Sequence, residues 1–284
     1  MSIEIKNITK CFGDVCALDD VTLSFGGEKI YGLLGNNGAG KSTLLGILTD
    51  LLHPTGGTVT VDGEAVSNND TALGKVFLVA EQNLFPEDMS VKKAFGAAQI
   101  FSAAFDRAYA EKLAAKFGLN TKKKIKSLST GYASIFRLII GLSVNTPYLL
   151  LDEPVLGLDA QHRDMFYRLL LEKYAEKPCT IVISTHLIAE AAELIEHAVI
   201  IRDGRIIRDC PSSELTASAY SVSGPAGLVD SYLEGKHILT SNTLGGLKTA
   251  CVQGQSDALP AGLEFSGVKL QDYFISLMEE EDRK

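Results

Sequence analysis

An α/β fold built on a mixed sheet is the class this sequence predicts, and three observations predict it. Short β-rich runs alternate with helical stretches along most of the chain, the pattern of a largely parallel sheet with helical crossovers. The run Tyr148-Leu-Leu-Leu is apolar at consecutive positions, as a strand covered on both faces should be. The earliest strands, and a hairpin signal at Asp203-Gly204, add an antiparallel portion to the same core.

The elements follow in order. Residues 3–8, 21–25 and 30–34 read as strands, as do 58–61 and 75–79, each rich in apolar and β-branched side chains. Strands at 148–151 and 180–183 come later, and 198–202 and 205–209 flank Asp203-Gly204 as a hairpin. Between Ser90 and Val144 the strand signals stop. Ser90 is placed to cap a helix from Val91 to about residue 104, and Asp106 to cap another that Gly118 ends. A third helix begins near Thr130 and carries Ile135, Phe136, Leu138, Ile139 and Leu142. These helices form a subdomain at about 84–146, inserted in a domain that spans 1–210. After Pro211 the texture changes: Ser, Gly and Ala increase and strands become short. A small accessory domain is expected at 211–284, ending in an amphipathic helix at 270–280 and a solvated acidic tail at 279–284.

Composition limits what such a fold could do. In 284 residues, 46% hydrophobic and 22% charged side chains suit a folded chain and rule out a disordered or collagen-like one. The net charge of −8 argues against coating nucleic acid, so no nucleic-acid partner is expected. No apolar stretch approaches the roughly 20 residues of a membrane helix, and the first residues lack the apolar core of a signal peptide. The five cysteines form no CxxC pair, so they are expected as reduced packing residues of a cytosolic protein.

The strongest motif is Gly35-Asn36-Asn37-Gly38-Ala39-Gly40-Lys41-Ser42, which fits G-x-x-x-x-G-K-[ST]. It follows the apolar strand at 30–34 and precedes a helical run at 43–52, the context that gives the pattern meaning. Glycines let the backbone N–H groups turn towards phosphates, and the helix start at Thr43 adds its partial positive charge. Lys41 would reach the β- and γ-phosphates and Ser42 would offer an oxygen to Mg²⁺. Leu151-Asp152-Glu153-Pro154 supplies the acidic partner: Asp152, ending a buried strand, can hold Mg²⁺ through water, and Glu153 can deprotonate the attacking water.

With these motifs the chain resembles the ATP-binding subunit of an ABC transporter, from about Ile3 to Asp209. The resemblance implies a P-loop NTPase core, ATP and Mg²⁺ as ligands, and ATP hydrolysis. Phe12 stands where the family has an aromatic that stacks on adenine, although on residue type alone it serves equally as core. Gln82, after the strand at 75–79, stands at the family's Q-loop, which senses Mg²⁺ and the membrane partner. Gly157-Leu158-Asp159 is similar to the D-loop, and His186 to the switch histidine that contacts the γ-phosphate. Leu128-Ser129-Thr130-Gly131-Tyr132 is similar to the signature Leu-Ser-Gly-Gly-Gln. It keeps Ser129 and Gly131, which in the family meet the ATP of the opposite subunit, and departs at Thr130 and Tyr132. As a residue before a helix, Ser129 can also be an N-cap, and both roles use the same helix end.

The resemblance further implies a two-fold pair with a second ATPase subunit, as homodimer or heterodimer, closing on ATP. It implies an integral membrane permease as partner, docked on a groove near residues 82–89, and a cytoplasmic location on the membrane's inner face. The accessory domain, with Leu270-Gln-Asp-Tyr-Phe274, resembles the tail of exporter-type ATPases, which suggests export of a drug, peptide or antibiotic. The altered signature keeps one alternative open, a nucleotide-sensing regulatory ATPase with little turnover.

Overall fold

The computed structural model describes residues 1–82, 84–256 and 260–281, without the side chains of Glu280 and Glu281. Expectations for Asn83, within the groove at 82–89, and for 282–284 of the tail lie outside the described residues.

Alternation of apolar and polar residues opens the chain as a hairpin, β1 (Ser2–Phe12) and β2 (Val15–Gly26). Its register sets Ile3 opposite Phe25 and Ile5 opposite Leu23, so one face is apolar. β3 (Ile30–Leu34) is buried along its whole length and leads to α1 (Lys41–Leu48). β4 (Gly56–Val61), β5 (Glu64–Ala65), α2 (Asp70–Leu73) and β6 (Val76–Val79) follow. The helical stretch is α3 (Val91–Phe101), α4 (Arg107–Lys116) and α5 (Thr130–Ser143). Ser90, Asp106 and Ser129 cap these three, each accepting a backbone N–H with its side-chain oxygen. The α/β pattern then resumes with β7 (Tyr148–Asp152), α6 (Ala160–Glu176), β8 (Thr180–Thr185), α7 (Ile188–Ala191), β9 (His197–Arg202) and β10 (Arg205–Pro211). Last come α8 (Ser212–Ala217), β11 (Ala219–Pro225), α9 (Ala226–Leu233), β12 (Ile238–Leu244), β13 (Leu247–Gln253), β14 (Glu264–Gly267) and α10 (Leu270–Glu281).

The strands make three sheets, in the orders β2-β1-β4-β5, β10-β9-β3-β8-β7-β6 and β12-β13-β11-β14. In the second, β3 runs parallel to β8, β8 to β7 and β7 to β6. The chain divides into two compact units. The first comprises Met1–His186 with Val199–Asp209, the second Leu187–Ala198 with Cys210–Lys284, so residues 187–198 join a unit that the sequence suggested begins only at 211.

The first unit's core takes side chains from both of its sheets and from α1, among them Ile3, Ile5, Phe25, Leu44, Leu48, Leu150 and Val182. Each such side chain stabilises the fold by about 1.5–3 kcal/mol on burial. A polar link accompanies this packing: Tyr148 Oη donates to Asp62 Oδ1 at 2.6 Å, and Lys75 Nζ lies 3.2 Å from Asp62 Oδ2. Burial favours the neutral acid, but the hydrogen bonds from Tyr148 and Lys75 outweigh it and hold the Asp62 carboxyl below its ordinary range.

The second unit has its own core of Tyr220, Val222, Val229, Leu233, Ala250, Val252 and Leu263. The strand signals there were weak because β11 interleaves apolar residues with Ser and β12 runs through Thr-Ser-Asn-Thr, yet three of the four strands run to seven residues.

Several expectations need correction. Cys11 and Cys16 are joined by a disulfide, because the turn after Phe12 sets them opposite each other across the β1–β2 hairpin. Cys179, Cys210 and Cys251 lie outside this disulfide. The first helix stops at Leu48 rather than residue 52, since Asp50 adopts φ +55 and Leu52 N turns back to Gly46 O. α3 ends at Phe101 rather than residue 104, where Ser102 becomes extended and Phe105 bridges to Val144. Glu279–Glu281 continue α10 and so are helical rather than a tail. Among the described residues no helix is long and apolar enough to cross a membrane.

Candidate active site

The loop after β3 works only with glycine at two points. Gly40 has φ +106, and a Cβ there would stand 2.5 Å from the Ala17 carbonyl oxygen. At Gly35 a Cβ would stand 2.5 Å from the Ile201 carbonyl oxygen. Between them Asn36, Asn37 and Gly38 are exposed and Ala39 is buried. The loop ends at the N-terminus of α1, where Ser42 is exposed and Thr43 half-buried, and where backbone N–H groups lack helical partners and suit anions.

Lys41 is 5% exposed. Its Nζ donates to Gly35 O at 2.7 Å and Asn36 O at 3.1 Å, and lies 3.5 Å from Glu153 Oε1. Asp152 and Glu153 reach this point because β7 ends beside β8, with Asp152 in register with Ser184. Ser184 Oγ donates to Asp152 Oδ1 at 2.9 Å, which leaves Oδ2 for another partner.

Glu153 leaves the strand at φ +44, and its N–H is held by Ser184 O at 2.9 Å. Its carboxylate accepts from Thr185 Oγ1 at 3.2 Å and from His186 N at 3.2 Å, and His186 Nδ1 is 2.9 Å from Oε1. One acid is thus tied to a lysine, a histidine and a hydroxyl, an orientation suited to a positioned base.

Ser42, Thr130, Ser134, Arg137, Asp152, Glu153 and Gly157 line one cavity of about 170 Å³. A divalent cation fits this donor set. Ser42 and Asp152 line the same space, and Mg²⁺ takes one or two protein oxygens and completes its shell with phosphate and water. Among the described residues no group of three or more His, Cys, Asp or Glu side chains forms a separate metal cage.

The other candidates are placed as follows. Ser129 caps α5, its Oγ accepting from Tyr132 N at 3.4 Å. A Cβ on Gly131 would lie 3.2 Å from Gly157 O, so the α5 start packs closely on the loop that carries Leu158 and Asp159. Asp159 caps α6, and hydrogen bonds from the His162 backbone and ring hold its carboxyl below the ordinary range. Gln82 is exposed and lines a neighbouring apolar groove with Phe77, Leu84, Phe85 and Phe136. Phe12 is 50% exposed, with Lys10 Nζ 4.9 Å from its ring centroid, which leaves much of the ring open to a flat apolar partner. Neither Phe12 nor Gln82 is among the side chains lining the cavity.

Three participants escaped sequence reasoning: Ser184, Thr185 and Arg137. For the hydroxyls the signal was present, since they follow Ile181-Val182-Ile183 at the end of a wholly buried strand. Arg137 gave none, standing alone on an apolar helix.

Comparison with known proteins places these features. The family described as ABC transporter matches residues 18–156. The chain is 32% identical to the Nod factor export ATP-binding protein I of Burkholderia lata, covering 78% of this chain and 77% of that one. It is 36% identical to a probable sulfate/thiosulfate import ATP-binding protein of Chlorella vulgaris, covering 76% and 94% respectively. Among solved structures, a dimeric post-hydrolysis state of the ATP-binding cassette MJ0796 bound to ADP and Pi superposes with a TM-score of 0.65. The identity to it is 25%, covering 74% of this chain and 98% of that one.

Proposed function

From the premise that the chain belongs to the ABC transporter ATP-binding family, we propose that it hydrolyses MgATP at the Lys41–Glu153 cluster to drive export through a membrane permease. As an ABC ATPase it is the energy-coupling subunit of a transporter and acts as a dimer with membrane subunits. The observation that carries the site reading is Lys41 Nζ between the loop carbonyls and Glu153 Oε1, with Asp152 alongside.

In this reading the backbone of residues 35–43 and Lys41 hold the β- and γ-phosphates. Ser42 and Asp152 hold Mg²⁺, which when bound neutralises charge on the phosphate oxygens. Glu153 takes the proton of the attacking water as the γ-phosphorus–oxygen bond to ADP breaks, and His186 steadies that carboxylate. Phe12 stacks on adenine. Gln82 reports the state of the metal site to the permease groove. Ser129 and Gly131 face the ATP held by a second subunit, identical or not, and close the pair by two-fold symmetry. Hydrolysis then removes the bridge and the pair reopens. The direction of export rests on the likeness of 270–274 to exporter tails, since relatives with both import and export names occur. The chain would lie on the cytoplasmic face of the membrane, held there by its permease.

The test is Glu153→Gln, which keeps shape and a polar contact but removes the base. Retained ATP binding, arrested hydrolysis and a doubled mass with ATP by light scattering are expected. Wild-type turnover in that variant would overturn the assignment of Glu153. Thr130 and Tyr132 in the signature favour one second reading, a nucleotide sensor. A wild-type chain that dimerises on ATP yet hardly hydrolyses it would select that reading.

A further inference from the structure

We infer that Arg137 is a positioning residue for the loop that carries Gln82. From the third turn of α5 it fastens that loop's backbone and ties it, through Ser134, to the loop that follows Glu153. The inference rests on the reading of Gln82 given above and deepens it.

Three hydrogen bonds form one chain. Arg137 Nη1 donates to the Glu81 carbonyl at 2.6 Å, one residue before Gln82. Arg137 Nη2 donates to Ser134 Oγ at 2.9 Å, and Ser134 Oγ donates to the Leu156 carbonyl at 3.2 Å. Ser134 and Arg137 are three residues apart and so share one face of α5. Ser134 is only 3% exposed, so its hydroxyl has few alternatives to this chain of bonds. The guanidinium therefore joins two loops that leave β6 and β7, while α5 itself begins at Ser129 and Gly131.

The chemistry of the residue argues against mere space filling. Arg137 is half-buried, and burial works against its charge there, opposed by the Glu81 carboxylate. A cation in such a place is tolerated when its planar N–H donors are matched by oxygens, and a guanidinium spreads its donors over separate nitrogens where an ammonium carries them all on one atom. Arg137 also lines the cavity that holds Ser42, Asp152 and Glu153, and it lines the adjoining groove with Gln82. With Val79 and Ala80 it is shared by the reacting space and the groove, and of these three it is the charged one. In the proposed reaction the Gln82 amide must meet the metal site at a fixed distance. A loop anchored at Glu81 limits where that amide can go. Loss of the anchor should leave nucleotide binding by residues 35–43 intact and impair the step that depends on Gln82.

The experiment is steady-state ATP hydrolysis by the full chain, varying ATP and Mg²⁺ separately. The proteins are wild type, Arg137→Ala, Arg137→Lys, Gln82→Ala and the Arg137→Ala/Gln82→Ala double variant, each with its melting temperature. Arg137→Ala is expected to lower kcat about tenfold and to raise the Mg²⁺ needed for half-maximal rate, with the KM for ATP within about twofold of wild type. Arg137→Lys should recover part of kcat, since the ammonium keeps the charge and can bond Glu81 O but lacks the second nitrogen that now meets Ser134 Oγ. The double variant should be no slower than Gln82→Ala alone, because both changes remove one function. If Arg137→Ala fails to fold, Arg137→Lys carries the test by the same KM-against-kcat split and the same non-additivity with Gln82→Ala. Wild-type kcat and Mg²⁺ dependence in the Arg137 variants, beside an impaired Gln82→Ala, would overturn the inference alone. So would losses that simply multiply in the double variant. A Gln82→Ala chain indistinguishable from wild type would overturn the reading of Gln82 and the inference with it.

Discussion

At the C-terminal ends of β3, β7 and β8 the first unit gathers Lys41, Asp152, Glu153, Ser184, Thr185 and His186 into one set of contacts. The second unit is just as rich in small polar residues but spends them differently. Along β11, Tyr220 and Val222 enter its core while Ser221 and Ser223 alternate with them on the opposite side. Thr240 and Ser276 bond each other, and Ser276 also bonds its own helix at Asp272 O. The difference is one of topology. Parallel strands all end at the same edge of the sheet, so side chains distant in sequence converge there. An antiparallel sheet such as β12-β13-β11-β14 sends neighbouring strand ends to opposite edges and spreads its polar groups over a face. The first arrangement suits a reacting centre, and the second gathers no comparable set of side chains among the described residues.

Four changes test that contrast, in falling order of effect. Lys41→Ala should reduce ATP hydrolysis by roughly three orders of magnitude, the scale of removing a charged phosphate contact from a preorganised site. Its melting temperature should change little, and a coupled-enzyme assay beside a thermal scan reads both. An active Lys41→Ala would remove the first half of the comparison.

Gly131→Asp should cost about two orders of magnitude in turnover. The new side chain would crowd Gly157 O, 3.2 Å from its Cβ, and would set a like charge towards the partner's γ-phosphate. Were Ser129 only a helix cap, an acid in the first turn of α5 would be mild or helpful instead. Rate and stability of this one variant separate the two roles.

Leu233→Ala, in the second unit's core and 5% exposed, should destabilise that unit by about 2 kcal/mol while kcat stays at the wild-type value. Limited proteolysis with the ATPase assay would show it. A fall in kcat matching the loss of Lys41 would mean that the second unit is more than a scaffold.

The smallest effect belongs to the link between Tyr148 and Asp62. Asp62 has a carboxyl held below its ordinary range, so it stabilises the fold above the unfolded value of about 4 and loses that contribution as pH falls through the lower folded value. Asp62→Asn should therefore melt below wild type at neutral pH by about 1–2 kcal/mol. The gap should close below pH ~4. A gap that widens on acidification would refute the assignment.

How much of this could be read from the sequence differs between the units for the same physical reason. The phosphate loop, the acids after β7 and the strands at 30–34 and 148–151 were legible because a buried parallel strand must be continuously apolar. The functional residues therefore stand out as the first polar ones after it. Ser184 and Thr185 obey that rule too, though they carry no motif. Arg137 was illegible because its importance lies in a backbone carbonyl 56 positions away, which no local pattern encodes. The four-stranded sheet of the second unit was blurred because its outward residues, Ser, Thr and Asn, are those that also mark loops.

The Cys11–Cys16 bond closes a small covalent ring around Phe12, Gly13, Asp14 and Val15. It makes the chain a molecule with two chemical forms, and a reducing environment selects the open one. The forms share net charge and fold class but differ in their thiol inventory: Cys179, Cys210 and Cys251 in the closed form, joined by Cys11 and Cys16 in the open one. Cys179 and Cys251 are buried, so a maleimide applied to the native chain labels chiefly Cys210 until a reductant opens the hairpin. Material prepared with dithiothreitol and material prepared without it are therefore distinct samples at the very turn that presents the Phe12 ring. Nucleotide affinities measured on the two should be compared only after their thiols have been counted.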